Sequence, residues 1–167
     1  MKTAFPVLFA FFLLSLVSCS EEEDPRLLLI GTWEKRSYMD SLDIWFVDSY
    51  RFKNDSVFDL TATVRKTELG EELGYRMTAS SWYNFEESTF QYYYSNALIY
   101  FGGGENGPFY GPKDKMNPGV VDFFRIPKGK LTFSSDMRQF TFQEDCWKVN
   151  PDTDCIEFPS QTFMRVD

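Results

Sequence analysis

The sequence predicts an all-β protein built from short antiparallel strands. Apolar and polar side chains alternate along Val57–Arg65, and residues 131–133 and 140–142 flank the turn 134–136 as a hairpin would. After residue 31, no segment keeps the 3.6-residue apolar period of an amphipathic helix. Short strands joined by tight turns favour an antiparallel sandwich or barrel over a parallel sheet with crossover helices.

The N-terminus has the pattern of a secretory signal. Lys2 precedes an apolar run over residues 4–17, which is too short to span a bilayer, and a small residue comes directly before Cys19. The ending Leu16-Val17-Ser18-Cys19 resembles the lipobox of bacterial lipoproteins. This resemblance implies cleavage after residues 1–18 and a lipid on the cysteine.

Acidic residues occupy positions 21–24, directly after this cysteine. Such a run stays solvated, so one interpretation of residues 19–26 is a flexible tether. The run also resembles the surface-export signal of Bacteroidota lipoproteins. That resemblance implies an outer-membrane, lipid-anchored protein that faces the cell surface, with the membrane as its first partner.

A short helical turn is predicted after the acidic run, because Asp24 suits an N-cap, Pro25 suits the first helical position and Gly31 ends the turn. Strands follow it. In residues 75–80 the alternation assigns Tyr75, Met77 and Ala79 to the apolar face and Arg76, Thr78 and Ser80 to the polar face. The remaining predicted strands are 44–52, 57–65, 80–85, 89–94, 96–101, 120–126 and 161–166, with a turn at 53–56.

One connection is long. Residues 102–119 contain six Gly and three Pro. Loops of this length in compact domains are often lids or binding loops, and the alternative is a passive loop. No Gly-Lys-Ser/Thr sequence follows the glycines, so this segment is not a phosphate-binding loop.

The triplet Gly31-Thr32-Trp33 resembles the Gly-x-Trp motif of lipocalins, in which the Trp plugs one end of an up-and-down barrel. In that family an Arg from the last strand packs over the Trp, and Arg165 has the matching place here. The resemblance implies that residues 27–167 form an antiparallel up-and-down lipocalin-like β-barrel. It makes Gly31, Trp33 and Arg165 fold markers rather than ligand contacts.

Aromatic residues make up 19% of the chain. Neighbours in a strand face opposite sides, so Tyr92 and Tyr94 share one face. These rings could line a cavity, form a carbohydrate-stacking surface or fill a packed core. The candidate ligand-binding residues are Tyr92, Tyr94, Tyr100, Phe109 and Tyr110.

Two cysteines, Cys146 and Cys155, remain after the predicted signal. Export favours a disulfide between them, and the turn-forming residues 150–153 allow it to staple a hairpin loop. Two buried thiols are the alternative.

Charge and composition exclude several functions. Lys2 is the only charge in the predicted signal, so the mature chain has 25 acidic and 16 basic residues, a net charge of −9. Such a protein repels nucleic acid, and without histidine the commonest general base and metal ligand are missing. We therefore expect a non-enzymatic protein with no cofactor and no metal.

These observations predict a lipid-anchored envelope protein whose barrel binds a small apolar or glycan ligand. The alternative is a protein-interaction or envelope-structural lipoprotein with a solid barrel core. An open, Tyr- and Phe-lined interior favours the first, and a packed core with an exposed apolar patch favours the second.

Overall fold

The computed structural model describes residues 24–102, 107–121, 126–150 and 152–167. The predicted signal peptide and Cys19 lie outside the described residues. In chain order the regular elements are α1 (Pro25–Leu29), β1 (Gly31–Met39), a 3-10 turn (Asp40–Leu42), β2 (Ile44–Phe52), β3 (Val57–Arg65), β4 (Glu72–Glu86), β5 (Thr89–Ile99), a second 3-10 turn (Lys113–Lys115), β6 (Asn117–Pro118), β7 (Lys128–Phe133), β8 (Gln139–Glu144) and β9 (Gln161–Arg165).

Eight of these strands close an up-and-down barrel. Each strand from β1 to β5 pairs antiparallel with the next, and β5, β7, β8 and β9 continue the series. The last strand then returns to the first, with Trp33 opposite Arg165 and Glu34 opposite Met164. The short β6 adds to the end of β5. The predicted all-β lipocalin-like barrel is therefore confirmed.

Two strands are longer than predicted. The segments 75–80 and 80–85 belong to the single strand β4, and 89–94 and part of 96–101 belong to β5. Asn96 has φ of 48°, and the β4–β5 register shifts beside it. This bulge interrupts the alternation, which explains why the sequence pattern divides β5 in two. For the predicted strand 120–126, residues 122–125 lie outside the described residues, and the described flanks are not in a strand.

A plug closes one end of the barrel. Leu29, the last residue of α1, is fully buried, and its carbonyl accepts a hydrogen bond from Trp33 Nε1 at 2.8 Å. The side chain of Asp24 accepts from the Arg26 backbone N–H at 3.0 Å, as an N-cap does. The helix begins at Pro25, inside the range 19–26 that the sequence assigned to a tether.

Gly31 occupies a position that only glycine fits. Its φ is +127°, and an added Cβ would lie 2.8 Å from Asp167 Oδ1 and 2.9 Å from Arg165 Nη2. The glycine of the Gly-x-Trp motif thus allows the two ends of the barrel chain to approach each other.

Aromatic rings fill the half of the barrel next to this plug. The Trp33 ring centre lies 4.9 Å from that of Phe140, which stacks on Phe163 at 4.5 Å. Phe52 and Phe58 are almost completely buried in the same cluster. Rings in these edge-to-face and stacked arrangements stabilise one another beyond their area burial. This packed half leaves the opposite half for a site.

Candidate functional site

A cavity of about 550 Å³ occupies the half of the barrel away from the plug. Its volume falls in the range of small-molecule sites, about 300–1,000 Å³. Seven of the eight barrel strands contribute to the wall, as do the connections between β5 and β7 and between β8 and β9, so the cavity depends on the closed barrel. The lining residues are Lys35, Asp48, Tyr50, Leu60, Ala62, Arg76, Met77, Tyr92, Tyr94, Ile99, Tyr100, Phe109, Glu144, Phe158, Pro159 and Gln161.

Three tyrosines of the lining, Tyr50, Tyr92 and Tyr94, lie together inside the barrel. Tyr50 and Tyr92 are buried, at 5% and 8% exposure, and the Tyr92 and Tyr94 ring centres are 5.3 Å apart. The hydroxyl oxygens of Tyr50 and Tyr94 are 3.1 Å apart, a hydrogen bond. Burial raises the pKa of both Tyr50 and Tyr94 well above the usual value of a phenol. The hydroxyls therefore remain protonated and can both donate and accept.

A charged group lies beside the tyrosines. Asp48 is the inward-facing residue before Tyr50 on β2, and its Oδ2 is 3.2 Å from Lys35 Nζ. Its other oxygen accepts a hydrogen bond from Arg76 Nη2. Lys35 Nζ also donates to Gln161 Oε1 at 3.1 Å, which links β1 to β9. One carboxylate is thus shared by two cations at the cavity wall.

Arg76 reaches this cavity through a β-bulge, which corrects its predicted place on the outer polar face. The β3–β4 register runs from Ala62 opposite Met77 to Thr63 opposite Tyr75, so Arg76 is an extra residue. Bulges of this kind redirect a side chain. The guanidinium carbon of Arg76 lies 4.4 Å from the Phe46 ring centre, a cation–π contact. Its Nε is buried and has no hydrogen-bond partner among the described residues.

Aromatic residues from the two long connections surround the mouth. Phe109 packs edge-on against Phe46 at 5.5 Å, and Phe158 and Pro159 contribute from the connection between β8 and β9. The predicted disulfide between Cys146 and Cys155 closes that second connection, beside an antiparallel bridge of Trp147 and Ile156. The disulfide therefore holds part of the mouth in place.

The structure brings together four of the five candidate ligand-binding residues. Tyr92, Tyr94, Tyr100 and Phe109 line the cavity. Tyr110 is not among the lining residues and packs on Phe109 with ring centres 5.5 Å apart. Residues 103–106 of the predicted binding loop lie outside the described residues.

The sequence interpretation missed the polar residues of the site. Asp48 had a usable signal, because it interrupts the apolar series Ile44, Phe46, Tyr50 and Phe52 on one face of β2. A carboxylate among inward-facing apolar positions indicates an ion pair or a site. Arg76 had no such signal, because the bulge that turns it inward exists only in the pairing of two strands.

A second depression, of about 610 Å³, lies over the outer face of β2–β5. Short polar side chains dominate it, including the cross-strand neighbours Ser49, Thr61 and Thr78. Its described lining residues include no aromatic ring. The barrel cavity, which combines aromatic rings with converging polar groups, is the stronger candidate.

Across the described ranges, no group of three or more His, Cys, Asp or Glu is arranged to hold a metal ion. Nor does any helix in the part of the chain that the structure describes have the length and apolar character needed to cross a membrane.

Fold and cavity together define an all-β, lipocalin-like barrel with an aromatic core at one end and a small-molecule-sized cavity at the other. The chain matches no known family model, and no curated protein or solved structure is significantly similar to it.

Proposed function

We propose that this protein is a lipid-anchored barrel of the cell envelope that binds a small molecule in the open half of its barrel. The observation that carries the proposal is the cavity of about 550 Å³, in which aromatic rings and a few polar groups converge. A chain without histidine lacks the commonest general base, which supports binding without chemical conversion.

The ligand is small and has a flat apolar surface, as an apolar ring or the face of a sugar does. Tyr50, Tyr92 and Tyr94 offer ring faces with hydroxyls close by, and amphipathic rings of this kind suit such ligands. Phe109 and Phe158 lie at the mouth and would contact the same ligand.

The N-terminal sequence supports the proposed location in the cell envelope. The Leu16-Val17-Ser18-Cys19 motif supports a lipid on Cys19, and the acidic residues at 21–24 support export to the outer face of the outer membrane. Acyl chains on this cysteine would supply the membrane affinity of an otherwise acidic domain.

A cavity-filling variant tests the binding proposal. Ala62 is 3% exposed and lines the cavity, so Ala62→Phe adds a ring to that space. Native mass spectrometry of wild-type protein from its own cells should show a bound small molecule that Ala62→Phe loses. Thr132→Phe, at an exposed position of β7, is the matched control and should retain it. A wild-type protein that carries no small molecule, or an Ala62→Phe variant that carries the same one, contradicts the proposal.

The second candidate function is protein interaction through the outer face of the barrel. Trp82 and Tyr93 are direct cross-strand neighbours on β4 and β5 and remain 49% and 45% exposed. Exposed aromatic residues of this kind are enriched at interfaces. Replacing both with Ser should remove a partner found by cross-linking on cells while leaving small-molecule binding unchanged.

A further inference from the structure

The cavity contains an arginine whose hydrogen-bonding capacity is only partly used. Arg76 has five N–H donors, and within the described residues its side chain donates one hydrogen bond, from Nη2 to Asp48. Its buried Nε has no partner there. The Arg76 side chain is 25% exposed, so the remaining N–H groups at the end of its guanidinium are able to donate to an acceptor supplied by a ligand.

The guanidinium is also held in a defined orientation. The β3–β4 bulge directs Arg76 inward, and the Phe46 ring supports one face of the guanidinium at 4.4 Å. Phe46 is itself packed against Phe109 at the mouth. A planar arginine fixed in this way keeps its free edge available for a planar acceptor, which is the geometry that carboxylate recognition uses.

Local charge indicates how many negative charges the ligand has. Lys35 and Arg76 share the single carboxylate of Asp48, which leaves one excess positive charge in this group. Glu144 is the other carboxyl group of the lining; it is 7% exposed and has an interaction of its own. With Glu144 counted, the charged side chains of the lining sum to zero, so the excess positive charge is local to the Lys35–Asp48–Arg76 group. A single local positive charge suits a monoanion better than a dianion such as a phosphate monoester.

From these contacts we propose that the ligand is an amphipathic monocarboxylate. Its carboxylate accepts hydrogen bonds from the free edge of Arg76, and its apolar body lies against Tyr50, Tyr92 and Tyr94. This inference rests on the proposed function and narrows the apolar or glycan ligand of that proposal. A purely apolar ligand would offer no acceptor to the exposed end of the guanidinium, and neutral sugar hydroxyls would form weaker hydrogen bonds than a charged acceptor.

Matched probes separate these ligand classes. We would measure the affinities of 2-naphthoate, its neutral isostere 2-naphthamide and the disaccharide maltose by calorimetry. Wild-type protein should bind the acid about 10- to 100-fold more tightly than the amide, the range expected for a hydrogen bond between charged partners. Arg76→Gln should remove this preference. Arg51→Gln is the control, because Arg51 is 65% exposed on the outer face and pairs with Asp59.

A second variant is expected to change the affinity for 2-naphthoate in the opposite direction. Asp48→Asn removes the carboxylate that competes for Arg76, so it should tighten binding of 2-naphthoate and leave 2-naphthamide unchanged. Weaker binding of the acid by Asp48→Asn contradicts the inference. This variant keeps the arginine, so the test does not depend on the folding of Arg76→Gln.

Two outcomes distinguish this inference from the function on which it rests. Wild-type protein that fails to bind 2-naphthoate, or that binds 2-naphthamide or maltose as tightly, overturns the carboxylate inference alone. The proposed function is tested separately. It requires that native mass spectrometry finds a co-purified small molecule on the wild-type protein and that the Ala62→Phe variant loses this molecule. If the wild-type protein carries a co-purified molecule without a carboxylate, the function stands and this inference is wrong.

Discussion

The guanidinium carbon of Arg165 lies 5.3 Å from the centre of the Trp33 ring, and the two residues are direct partners in the pairing of the last strand with the first. Arg165 Nη2 also donates to the Ile30 carbonyl at 2.8 Å, beside the helix that covers this end. The pair therefore joins both ends of the barrel chain where the barrel closes.

We predict that Trp33→Ala lowers the free energy of unfolding by about 3–5 kcal/mol, because it truncates a fully buried ring. A double-mutant cycle of Trp33→Ala and Arg165→Ala, measured by chemical denaturation, should give a coupling energy of about 0.5–2 kcal/mol. Lys148→Ala, at an exposed position in the connection after β8, is the control and should show no coupling to Trp33. Zero coupling for Arg165 as well would contradict a stabilising contact at the closure.

The disulfide between Cys146 and Cys155 should contribute about 2–3 kcal/mol, because it closes a short loop and restricts the unfolded chain. We expect the double Ser variant to lose this stability in urea denaturation. It should also bind the ligand more weakly, since Phe158 and Pro159 of the same connection line the cavity mouth. Alkylation of two thiols in denatured, unreduced wild-type protein would rule out the bridge in solution.

An ion-pair network on the outer face of the barrel should make stability depend on pH. Glu34 is 7% exposed and accepts hydrogen bonds from Arg36 and Arg65, with its carboxylate oxygens 2.7 and 2.8 Å from their Nη2 atoms. Burial alone would raise the pKa of Glu34, but the hydrogen bonds from Arg65 and Arg36 outweigh it and lower the pKa below the ordinary 4.5.

A carboxyl group with a lowered pKa stabilises the fold above its unfolded-state pKa, and this stabilisation is lost as the pH falls through the folded-state pKa. We therefore expect Glu34→Gln to cost roughly 1.5–3 kcal/mol at pH 7, the range for hydrogen bonds to charged groups. The difference from wild type should shrink below about pH 4.5 in urea denaturation. Glu68→Gln, whose side chain is 44% exposed, should have a much smaller effect. A Glu34→Gln difference that is constant from pH 7 to pH 3 would contradict this account.

Cys19→Ala should release the protein from the membrane, because the acyl chains proposed for this cysteine are its source of membrane affinity. Fractionation of cells after a salt wash measures the effect, with Cys146→Ser as the control that retains the anchor. Cys19→Ala protein that remains in the membrane pellet would refute the lipoprotein proposal.

Replacement of the acidic residues 21–24 with Ala should leave the barrel folded but change its exposure at the cell surface. Protease treatment of intact cells measures exposure, and the thermal unfolding midpoint of the purified domain checks the fold. A control variant in which Asp replaces Glu at positions 21–23 and Glu replaces Asp24 keeps the negative charge and should behave as wild type. Equal protease accessibility of the Ala variant and wild type would contradict a role of the acidic residues in export and leave the tether interpretation.

Much of the barrel was predictable because its signals are local. The bounds of β2 and β3 match the alternating segments and the turn between them, where Asn54 Oδ1 accepts from the Val57 N–H at 2.8 Å. Such an Asx turn is specified by neighbouring residues, so the sequence carries it directly. Residues 92 and 94 were likewise assigned to one face by the two-residue period of a strand.

By itself, then, the sequence determined the class of fold and the order of most strands, since alternation and turn chemistry are properties of short stretches of chain. It favoured the disulfide between Cys146 and Cys155, and the structure contains it. Only the tertiary structure decided that Arg76 turns inward and that half of the barrel stays open. A bulge is a mismatch between two paired strands, and a cavity is the space that remains after many strands have packed. Neither a bulge nor a cavity leaves a periodic pattern in the sequence of a single strand. The charged group around Asp48 and the open volume beside Tyr50 therefore appear only when the barrel closes.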